Sequence, residues 1–325
     1  MSVHSPRILV LCHRYPNYVP DLLLHGLRHI YGDQAVDWPR KDCLYDGVLG
    51  LGVCPDNQKF RALMPADQAV DRTDIERKIR SQYFSHIFVD IRAIQLVAPL
   101  LSEIAVPLGL IDGEDRPLPI PPGRYALFRR ETDGSDYSLP LPMALPRQAL
   151  DWIVRLDGSA KRYSVGFLGS RGAITPERGE LLDRLAERYP DSLIGTTPIP
   201  DPAHPLPDGR RSREEYYQAL QSCRVLLTLP GAGMDTFRFW EHAACRAVHL
   251  ARRMPLYLPH NFSEPTEILR FGTLEEAERH IDWALDNQHT AEQLEASRTH
   301  LVAHHTTERR AEDAIARLSK AFSRG

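Results

Sequence analysis

Short apolar segments alternate with longer amphipathic segments along most of the chain, and this alternation limits the possible folds more than any other feature. Residues 7–12 form an apolar run bounded by helix-breaking and polar residues, which is typical of a buried strand. Asp21 follows at a position where it can cap a helix. Strand, helix and strand in succession predict a parallel sheet with helices on its faces. The further strands predicted in this part of the chain are residues 47–53, 86–90, 106–112 and 124–131.

A second series with the same alternation follows residue 146. Its predicted strands are residues 163–169, 224–229 and 247–251. Its predicted helices are residues 176–189, 213–222, 235–245, 273–287, 290–303 and 306–323. Because 325 residues are enough for two domains of ordinary size, the two series predict two α/β domains.

Proline marks the boundary between the two series. The chain has 26 prolines and 20 glycines, and three of the prolines fall within the nine residues 138–146. Proline stiffens the backbone and donates no hydrogen bond to a sheet, so this segment is predicted to be an extended connector outside the sheets. The predicted domains are therefore residues 1–146 and 147–305, followed by a C-terminal helix over residues 306–325.

Charge and cysteine content exclude several classes of protein. The net charge is −3, and both halves of the chain are slightly acidic, which argues against stable binding to nucleic acid. The five cysteines include no CxxC pair, as expected of a reduced, cytoplasmic protein. No apolar run is long enough to span a membrane or to act as a secretory signal, although peripheral association with a membrane stays open.

The common short motifs of α/β enzymes are missing from the sequence. No GxGxxG follows the first predicted strand, and there is no GxxxxGK[ST], which argues against dinucleotide-dependent dehydrogenases and P-loop enzymes. The absence of GxSxG argues against an α/β-hydrolase. No HExxH and no cysteine or histidine group has metal-binding spacing, so we expect neither a metal nor a cofactor.

Residues 216–251 predict a helix, a buried strand, a glycine-containing loop, a second helix and a second strand. Gly231 and Gly233 lie in the loop after the strand, where a backbone without side chains can approach a ligand closely. The helix that follows points its N-terminal amides and its positive dipole end toward the same place, an arrangement that suits a diphosphate. Arg238 lies in the first turn of that helix and can bind phosphate oxygens through two donors.

Three more positions complete the predicted binding site. Asp235 and Thr236 begin the helix, and Glu241 lies about one turn beyond Arg238, where a carboxylate can accept hydrogen bonds from sugar hydroxyls. Ser170 and Arg171 follow the strand 163–169 and are also candidates for diphosphate contacts, with Arg178 as a weaker third cation. Purely structural roles stay open: an Asp235–Arg238 ion pair, a helix cap at Asp235 or Thr236, and a solvent-exposed Glu241.

These residues form a recognisable pattern. The string Gly233-x-Asp-Thr-x-Arg-Phe-Trp-Glu241, followed by Ala243-Ala-Cys-x-Ala-Val248, resembles the nucleotide-sugar-binding region of GT-B-type glycosyltransferases. It is closest to the exostosin-like and group 1 families. Similar bacterial proteins also carry a loop like Asp112-Gly-Glu-Asp115 and a strand like Phe128-Arg-Arg-Glu131.

The resemblance implies two Rossmann-like domains that face each other across a cleft, with the nucleotide sugar on the C-terminal domain and the acceptor on the N-terminal one. It also implies that the C-terminal helix can cross back to the first domain. The expected reaction transfers a sugar, without a metal, from a nucleoside diphosphate sugar to a hydroxyl of a polysaccharide or glycoconjugate intermediate. Many retaining members carry a glutamate eight positions before the one that matches Glu241, but Gly233 stands there, so the stereochemistry is left open.

An inverting transfer needs a base for the acceptor hydroxyl, commonly an acid or a histidine at a strand end of the first domain. Asp112 and Glu114, at the end of strand 106–112, are candidates, and so is His13 after the first strand. The acids could equally form a solvated turn or ion pairs with Arg129 and Arg130. Two other functions stay open: a sugar-nucleotide epimerase or hydrolase of the same fold, and a non-catalytic nucleotide-sugar-binding module.

Overall fold

The computed structural model describes residues 6–46, 63–65, 69–120, 122–169, 176–196 and 211–323. The chain divides into two compact units, and each contains one parallel sheet with its own helices. Unit 1 comprises Met1–Pro146, Leu256–Pro259 and Thr306–Gly325, and unit 2 comprises Arg147–Pro255 and His260–His305. Two parallel sheets in an α/β chain confirm the predicted fold class. The predicted strand 47–53 lies outside the described residues.

The sheet of unit 1 has six strands in the order β2-β1-β3-β4-β5-β6, all of them parallel. The central strands are fully buried, as expected of a parallel sheet with covered faces. The strands are β1 Ile8–Leu11, β2 Ala35–Trp38, β3 His86–Asp90, β4 Leu108–Asp112, β5 Ala126–Arg129 and β6 Leu139–Pro140. Strand β2 was not predicted, because only its first two residues are apolar before Asp37 interrupts the run.

The helices of unit 1 are α1 Tyr18–Tyr31, α2 Ile75–Arg80, α3 Ile94–Leu101 and α10 Thr307–Ser323. Helix α10 packs on α1, with the buried Ala311 and Leu318 at the contact side. The approach is closest at Gly26, where an added Cβ would lie 2.0 Å from the carbonyl oxygen of Thr307. The C-terminal helix therefore belongs to unit 1.

Helix α1 begins one turn earlier than predicted. Its N-cap is Asn17, and Asp21 lies inside the first turn. The carboxylate of Asp21 still serves the helix start, because its Oδ2 accepts the Asn17 amide at 3.0 Å. The predicted cap at Asp21 is therefore wrong in position.

The proline-rich segment 138–146 is part of the first sheet and not a free connector. Its residues Leu139–Pro140 form β6, and the amide of Leu141 donates to the carbonyl of Arg129 at 2.7 Å. Proline is tolerated there because an edge strand leaves one side of its backbone without a ladder partner. The side chains from Leu141 to Leu145, apart from Pro142, are among the buried apolar residues of the unit. The prediction that segment 138–146 lies outside the sheets is therefore wrong for Leu139 and Pro140.

The sheet of unit 2 has five parallel strands in the order β11-β10-β9-β7-β8. The strands are β7 Tyr163–Gly169, β8 Leu193–Thr196, β9 Cys223–Thr228, β10 Val248–Arg252 and β11 Leu269–Phe271. The helices are α4 Arg147–Arg155, α5 Pro176–Arg188, α6 Arg213–Gln221, α7 Phe237–Ala244, α8 Leu274–Asp286 and α9 Ala291–His304. Helix α4 and the short strands β8 and β11 were not predicted. In the described part of the chain, none of the helices has the length and apolar character that crossing a bilayer requires.

Candidate functional site

The carboxyl ends of β7 and β9 lie side by side in unit 2, because these two strands are parallel neighbours. The chain leaves β9 through a loop over residues 229–236 and enters α7 directly. Ligands of open parallel sheets commonly bind at this edge, where loops and helix N-termini converge. Ser170 and Arg171, which follow β7, lie outside the described residues and stay predictions.

Arg238 reaches from α7 across the end of β7. Its Nε donates to the carbonyl oxygen of Leu168 at 3.0 Å, and its guanidinium carbon lies 4.9 Å from the centre of the Phe167 ring. The close approach depends on Gly169, because a Cβ there would lie 2.2 Å from Nη2 of Arg238. A glycine at the end of β7 therefore leaves space for the guanidinium group of Arg238 beside the strand.

Arg178 approaches the same ring from α5. It is only 4% exposed, and its guanidinium carbon lies 5.0 Å from the Phe167 ring centre. Its Nη1 donates to the carbonyl oxygen of Pro230 at 2.9 Å, whereas Nε and Nη2 are buried and have no hydrogen-bond partner among the described residues. Burial and, to a smaller extent, the charge of Arg238 lower the pKa of Arg178 to about 10, which leaves it protonated at neutral pH.

Two guanidinium groups therefore share one aromatic ring at the carboxyl edge of the sheet. Neither makes an ion pair with a carboxylate among the described residues. A buried cation is costly without a counter-charge, and its free donors add the cost of unmade hydrogen bonds. An anion with several oxygens would relieve both costs, and phosphate matches the planar donor geometry of arginine.

The start of α7 supplies a further donor. Thr236 is the N-cap, but its side chain makes no capping hydrogen bond, and its Oγ1 is buried without a partner in the described part of the chain. Asp235 has a structural role instead, because its Oδ1 accepts the indole Nε1–H of Trp240 at 2.9 Å. In the loop before it, the amide of Gly231 donates to the carbonyl of Gly233 at 2.8 Å and closes a tight turn.

Glu241 lies on α7 behind this edge and is fully buried. Its Oε2 accepts the hydroxyl of Tyr216 at 2.9 Å. Burial and the neighbouring Glu241 charge raise the pKa of Tyr216, so its phenol stays protonated and donates. Tyr216, on α6, was not singled out from the sequence, where its partner 25 positions away leaves no local signal. The predicted sugar contact of Glu241 stays a prediction.

The acidic loop of unit 1 is neutralised by arginines. Asp112 ends β4 and accepts the amide of Leu118 at 3.1 Å. The two oxygens of Glu114 receive Nε and Nη2 of Arg92 at 2.5 and 2.7 Å. Each acid has its own arginine: Asp112 pairs with Arg129, Glu114 with Arg92, and Asp115 with Arg130. The structure thus has the ion pairs that the sequence left as an alternative to a catalytic role.

His13 lies in the loop after β1. Its Nδ1 accepts the amide of Tyr15 at 3.2 Å, and the two rings are stacked. The loop is held by Lys41, whose fully buried Nζ donates to the carbonyl oxygens of His13 and Tyr15 at 2.7 and 2.5 Å. Lys41 also pairs with Asp21 at 2.8 Å. Burial raises the pKa of Asp21 to about 6, against the opposing effect of Lys41.

Asp90 is a further acid at this edge that the sequence did not single out. It ends β3, which lies between β1 and β4. Its Oδ1 accepts Nδ2 of Asn17 at 3.1 Å and the amide of Arg92 at 3.0 Å, whereas Oδ2 is buried without a partner among the described residues. Burial raises the pKa of this carboxyl. A signal was present, because Asp90 ends its apolar strand as Asp112 ends the next one.

The described residues contain no group of three or more histidine, cysteine, aspartate or glutamate side chains that could hold a metal ion.

Known proteins are similar to this chain at two levels: a family model matches one segment, and solved structures match nearly the whole chain. Residues 178–316 match a family model described as glycosyl transferase-like, and the matched segment begins at Arg178 and includes Arg238 and Glu241. The search of curated proteins found no match.

Solved structures match over nearly the whole chain. A glycosyltransferase from Rickettsia africae ESF-5 superposes with a TM-score of 0.58 at 9% identity, over 98% of this chain and 99% of that one. Anabaena HepE in complex with UDP and glucose gives a TM-score of 0.58 at 12% identity, over 97% and 100%. HepE in complex with UDP-glucose gives 0.53 at 12% identity, over 96% and 99%.

At such low identity the solved structures establish the fold, and the family model independently covers the segment that carries Arg178 and Arg238. The predicted resemblance is therefore confirmed. Residues 178–316 are therefore similar to the glycosyl transferase-like family, and the chain has the fold of these glycosyltransferase structures.

Proposed function

We propose that this protein transfers a sugar from a nucleoside diphosphate sugar to a hydroxyl group, and that Arg178 and Arg238 bind the diphosphate. The observation that carries the proposal is the pair of arginines over Phe167, with buried donors on Arg178 and no carboxylate partner among the described residues. Thr236 adds a buried hydroxyl at the start of α7. These groups suit the negative charge and the many acceptor oxygens of a diphosphate.

The arginines act on the leaving group. The acceptor oxygen forms a bond to the anomeric carbon, and the bond from that carbon to the diphosphate oxygen breaks with its electron pair going to the diphosphate. Negative charge therefore grows on the diphosphate in the transition state. Cations already held in place by Leu168, Pro230 and the Phe167 ring stabilise that charge without having to reorganise.

The proton of the acceptor hydroxyl needs a base, and we place it on Asp90 in unit 1. Asp112 and Glu114 each already receive guanidinium donors, whereas Oδ2 of Asp90 has no donor among the described residues. Its raised pKa makes the Asp90 carboxylate a stronger proton acceptor than an ordinary aspartate. His13 stays a second candidate, since its ring accepts only the Tyr15 amide in the described part of the chain.

UDP-glucose is the first donor to test, because HepE, which has the same fold, was solved with UDP-glucose. The acceptor class that we propose is a polysaccharide or glycoconjugate intermediate. The family resemblance supports this class, and the proposal leaves the particular sugar and acceptor to experiment.

The phosphate assignment is tested by calorimetric titration with UDP and, separately, GDP. Arg238→Ala should weaken binding of the preferred nucleotide about 10- to 100-fold, as expected for the loss of a charge-assisted hydrogen-bond pair. Arg246→Ala is the control, because Arg246 follows α7 but pairs with Glu295. Equal affinities of the two variants would refute the assignment.

The catalytic assignment is tested by product analysis with UDP-glucose and a panel of hydroxyl acceptors. Asp90→Asn should lower kcat about 10²- to 10⁴-fold with little change in UDP affinity, because the amide keeps the Oδ1 contacts but cannot take a proton. Asp112→Asn should lower kcat less than Asp90→Asn does. If it lowers kcat more, Asp112 is the base and the assignment to Asp90 is wrong. Free glucose without transfer to any acceptor would identify a hydrolase, and UDP binding without turnover would identify a binding module.

A further inference from the structure

Unit 2 contains a cavity of about 370 Å³ at the edge of the sheet opposite the two arginines. Its walls include Ala247 and Val248 at the start of β10 and Ile268 and Leu269 at the start of β11. All strands of this sheet are parallel, so the amino ends of β10 and β11 lie on the other edge from the loop between β9 and α7. The cavity is therefore separate from the proposed diphosphate site.

Two buried polar side chains line this cavity without having their hydrogen bonds satisfied. His249 is 2% exposed and Ser297, on α9, is 4% exposed. Nε2 of His249 lies 3.1 Å from Oγ1 of Thr228, but its Nδ1 and the Ser297 Oγ have no partner among the described residues. Each unmade bond costs stability in the free protein, and a ligand that supplied a polar group would remove that cost.

The chemistry of the walls selects the kind of ligand. Burial and, to a smaller extent, the charge of Arg270 lower the pKa of His249 to about 3, so the ring is neutral at neutral pH. The acidic side chains of the wall are Glu267 and Glu292, and the residues that line the cavity include neither lysine nor arginine. An anion such as a diphosphate is therefore disfavoured. The rest of the wall is mainly aliphatic, together with the polar residues Thr266, His289 and Gln293 and the indole of Trp283, which is 47% exposed.

We propose that this cavity is a second ligand-binding site, for an uncharged, mostly apolar molecule that carries a hydroxyl group. A hydroxyl both donates and accepts, so it can serve Ser297 together with either tautomer of His249. The volume lies within the range of small-molecule pockets and accommodates a fused two-ring compound of about a dozen non-hydrogen atoms. The site does not depend on the proposed transferase activity, because it uses none of the residues assigned to the reaction.

Three probes of one shape test the chemistry. 2-Naphthalenemethanol carries the hydroxyl, 2-methylnaphthalene lacks it, and 2-naphthoate replaces it with an anion. Titration followed by protein NMR should give an affinity for the alcohol at least about 10-fold higher than for either of the others. Equal binding of the hydrocarbon would refute the role of the hydroxyl, and equal binding of the naphthoate would refute the site as proposed.

Variants on α9 test the location. Ala296→Phe places a ring into the cavity and should abolish binding of the alcohol, whereas the control Thr299→Phe, on the exposed side of α9, should leave it unchanged. Ser297→Ala should weaken the alcohol about 5- to 10-fold while raising the melting temperature of the free protein, because an unsatisfied buried hydroxyl is removed. If Ala296→Phe fails to fold, Ser297→Ala still tests the location, because unchanged affinity for the alcohol would refute it.

A competition experiment separates this site from the proposed transferase site. Saturating UDP should leave the affinity for 2-naphthalenemethanol unchanged within about twofold, since the two sites lie at opposite edges of the sheet. Mutual exclusion of UDP and the alcohol would overturn the proposal. Loss of alcohol binding in Ala296→Phe with nucleotide binding retained supports it, and failure of both UDP and GDP to bind would refute only the transferase proposal.

Discussion

The charged residues at the carboxyl edges of the two sheets differ in their pairing: the acids named below for unit 1 form ion pairs, whereas, among the described residues, the two arginines of unit 2 do not. In unit 1, Asp112, Glu114 and Asp115 each pair with an arginine, and the buried Asp21 pairs with Lys41. In unit 2, Arg178 and Arg238 lie over one phenylalanine ring with no carboxylate partner among the described residues.

This difference distinguishes charged residues that stabilise the fold from charged residues that we propose to bind a ligand. A buried ion pair is lost at high cost when one partner is removed, because the other is left buried and unpaired. A buried cation without a partner already bears that cost, so removing it spares the fold and harms only the binding of an anion. The following predictions test this division.

The largest effect is expected for Lys41→Met. Methionine has a similar length but provides no donor for Asp21 or for the carbonyl oxygens of His13 and Tyr15. The free energy of unfolding should fall by about 3–5 kcal/mol, as measured by urea denaturation. The control Arg77→Met removes an exposed pair with Asp74 and should cost less than about 1 kcal/mol. Similar losses in both variants would contradict a structural role for Lys41.

The next effect is a pH dependence of stability due to Asp21. Its pKa is raised from 3.8 to about 6, so the folded chain holds this proton more tightly than the unfolded chain does. The stabilisation is full below the unfolded pKa and is lost as the pH rises through about 6, a change of about 3 kcal/mol. Asp21→Asn should lack this change when urea denaturation is repeated from pH 3.5 to 7. Parallel pH profiles of the two proteins would show that the Asp21 pKa is not raised.

Arg178→Met tests the buried cation that has no carboxylate partner among the described residues. The dissociation constant for UDP should rise about 10- to 100-fold, while the free energy of unfolding should stay the same or increase because an unpaired buried cation is gone. The control is Arg188→Met on the same helix, since Arg188 is exposed and pairs with Asp282. Destabilisation by Arg178→Met with unchanged UDP affinity would make Arg178 a structural residue and reverse the comparison.

The smallest effect is expected for Gly169→Ala. The new Cβ would lie 2.2 Å from Nη2 of Arg238, and the flexible end of the arginine would have to move. UDP affinity should fall about 5- to 10-fold, roughly 1 kcal/mol, with little change in melting temperature. Gly272→Ala is the matched control, because its Cβ would meet Oε2 of Glu276 at an ordinary 3.4 Å and Gly272 has no role in the proposed site. Equal UDP affinities would show that the position of Arg238 against Gly169 does not matter.

The sequence predicted the fold better than it predicted the site. Continuous apolar runs such as Ile8–Leu11 identify buried strands, because a parallel strand covered on both faces is mainly apolar. Strand β11 has only three residues and β2 contains a buried aspartate, so neither has such a run. Strand β6 was hidden by its proline, which an edge position tolerates.

Within the site, local pattern identified Arg238 but ranked Arg178 too low. Arg238 follows the glycine loop directly, at the start of the helix, so its surroundings can be read from contiguous residues. The role of Arg178 depends on its packing against Phe167 and on its hydrogen bond to the carbonyl oxygen of Pro230, which is 52 positions away. Asp90 ends its apolar strand as Asp112 does, but its burial and its contact with Asn17, 73 positions away, come only from the tertiary structure.

The sequence by itself determined the α/β class, the parallel sheets and the strand, glycine loop and helix over residues 216–251. These depend on the periodicity of apolar residues and on the conformational freedom of glycine, and both are local properties. Only the tertiary structure decided which charges are paired. Whether an acid meets an arginine, as Glu114 meets Arg92, or a guanidinium is buried without a carboxylate, as for Arg178, depends on residues that folding brings together from distant parts of the chain.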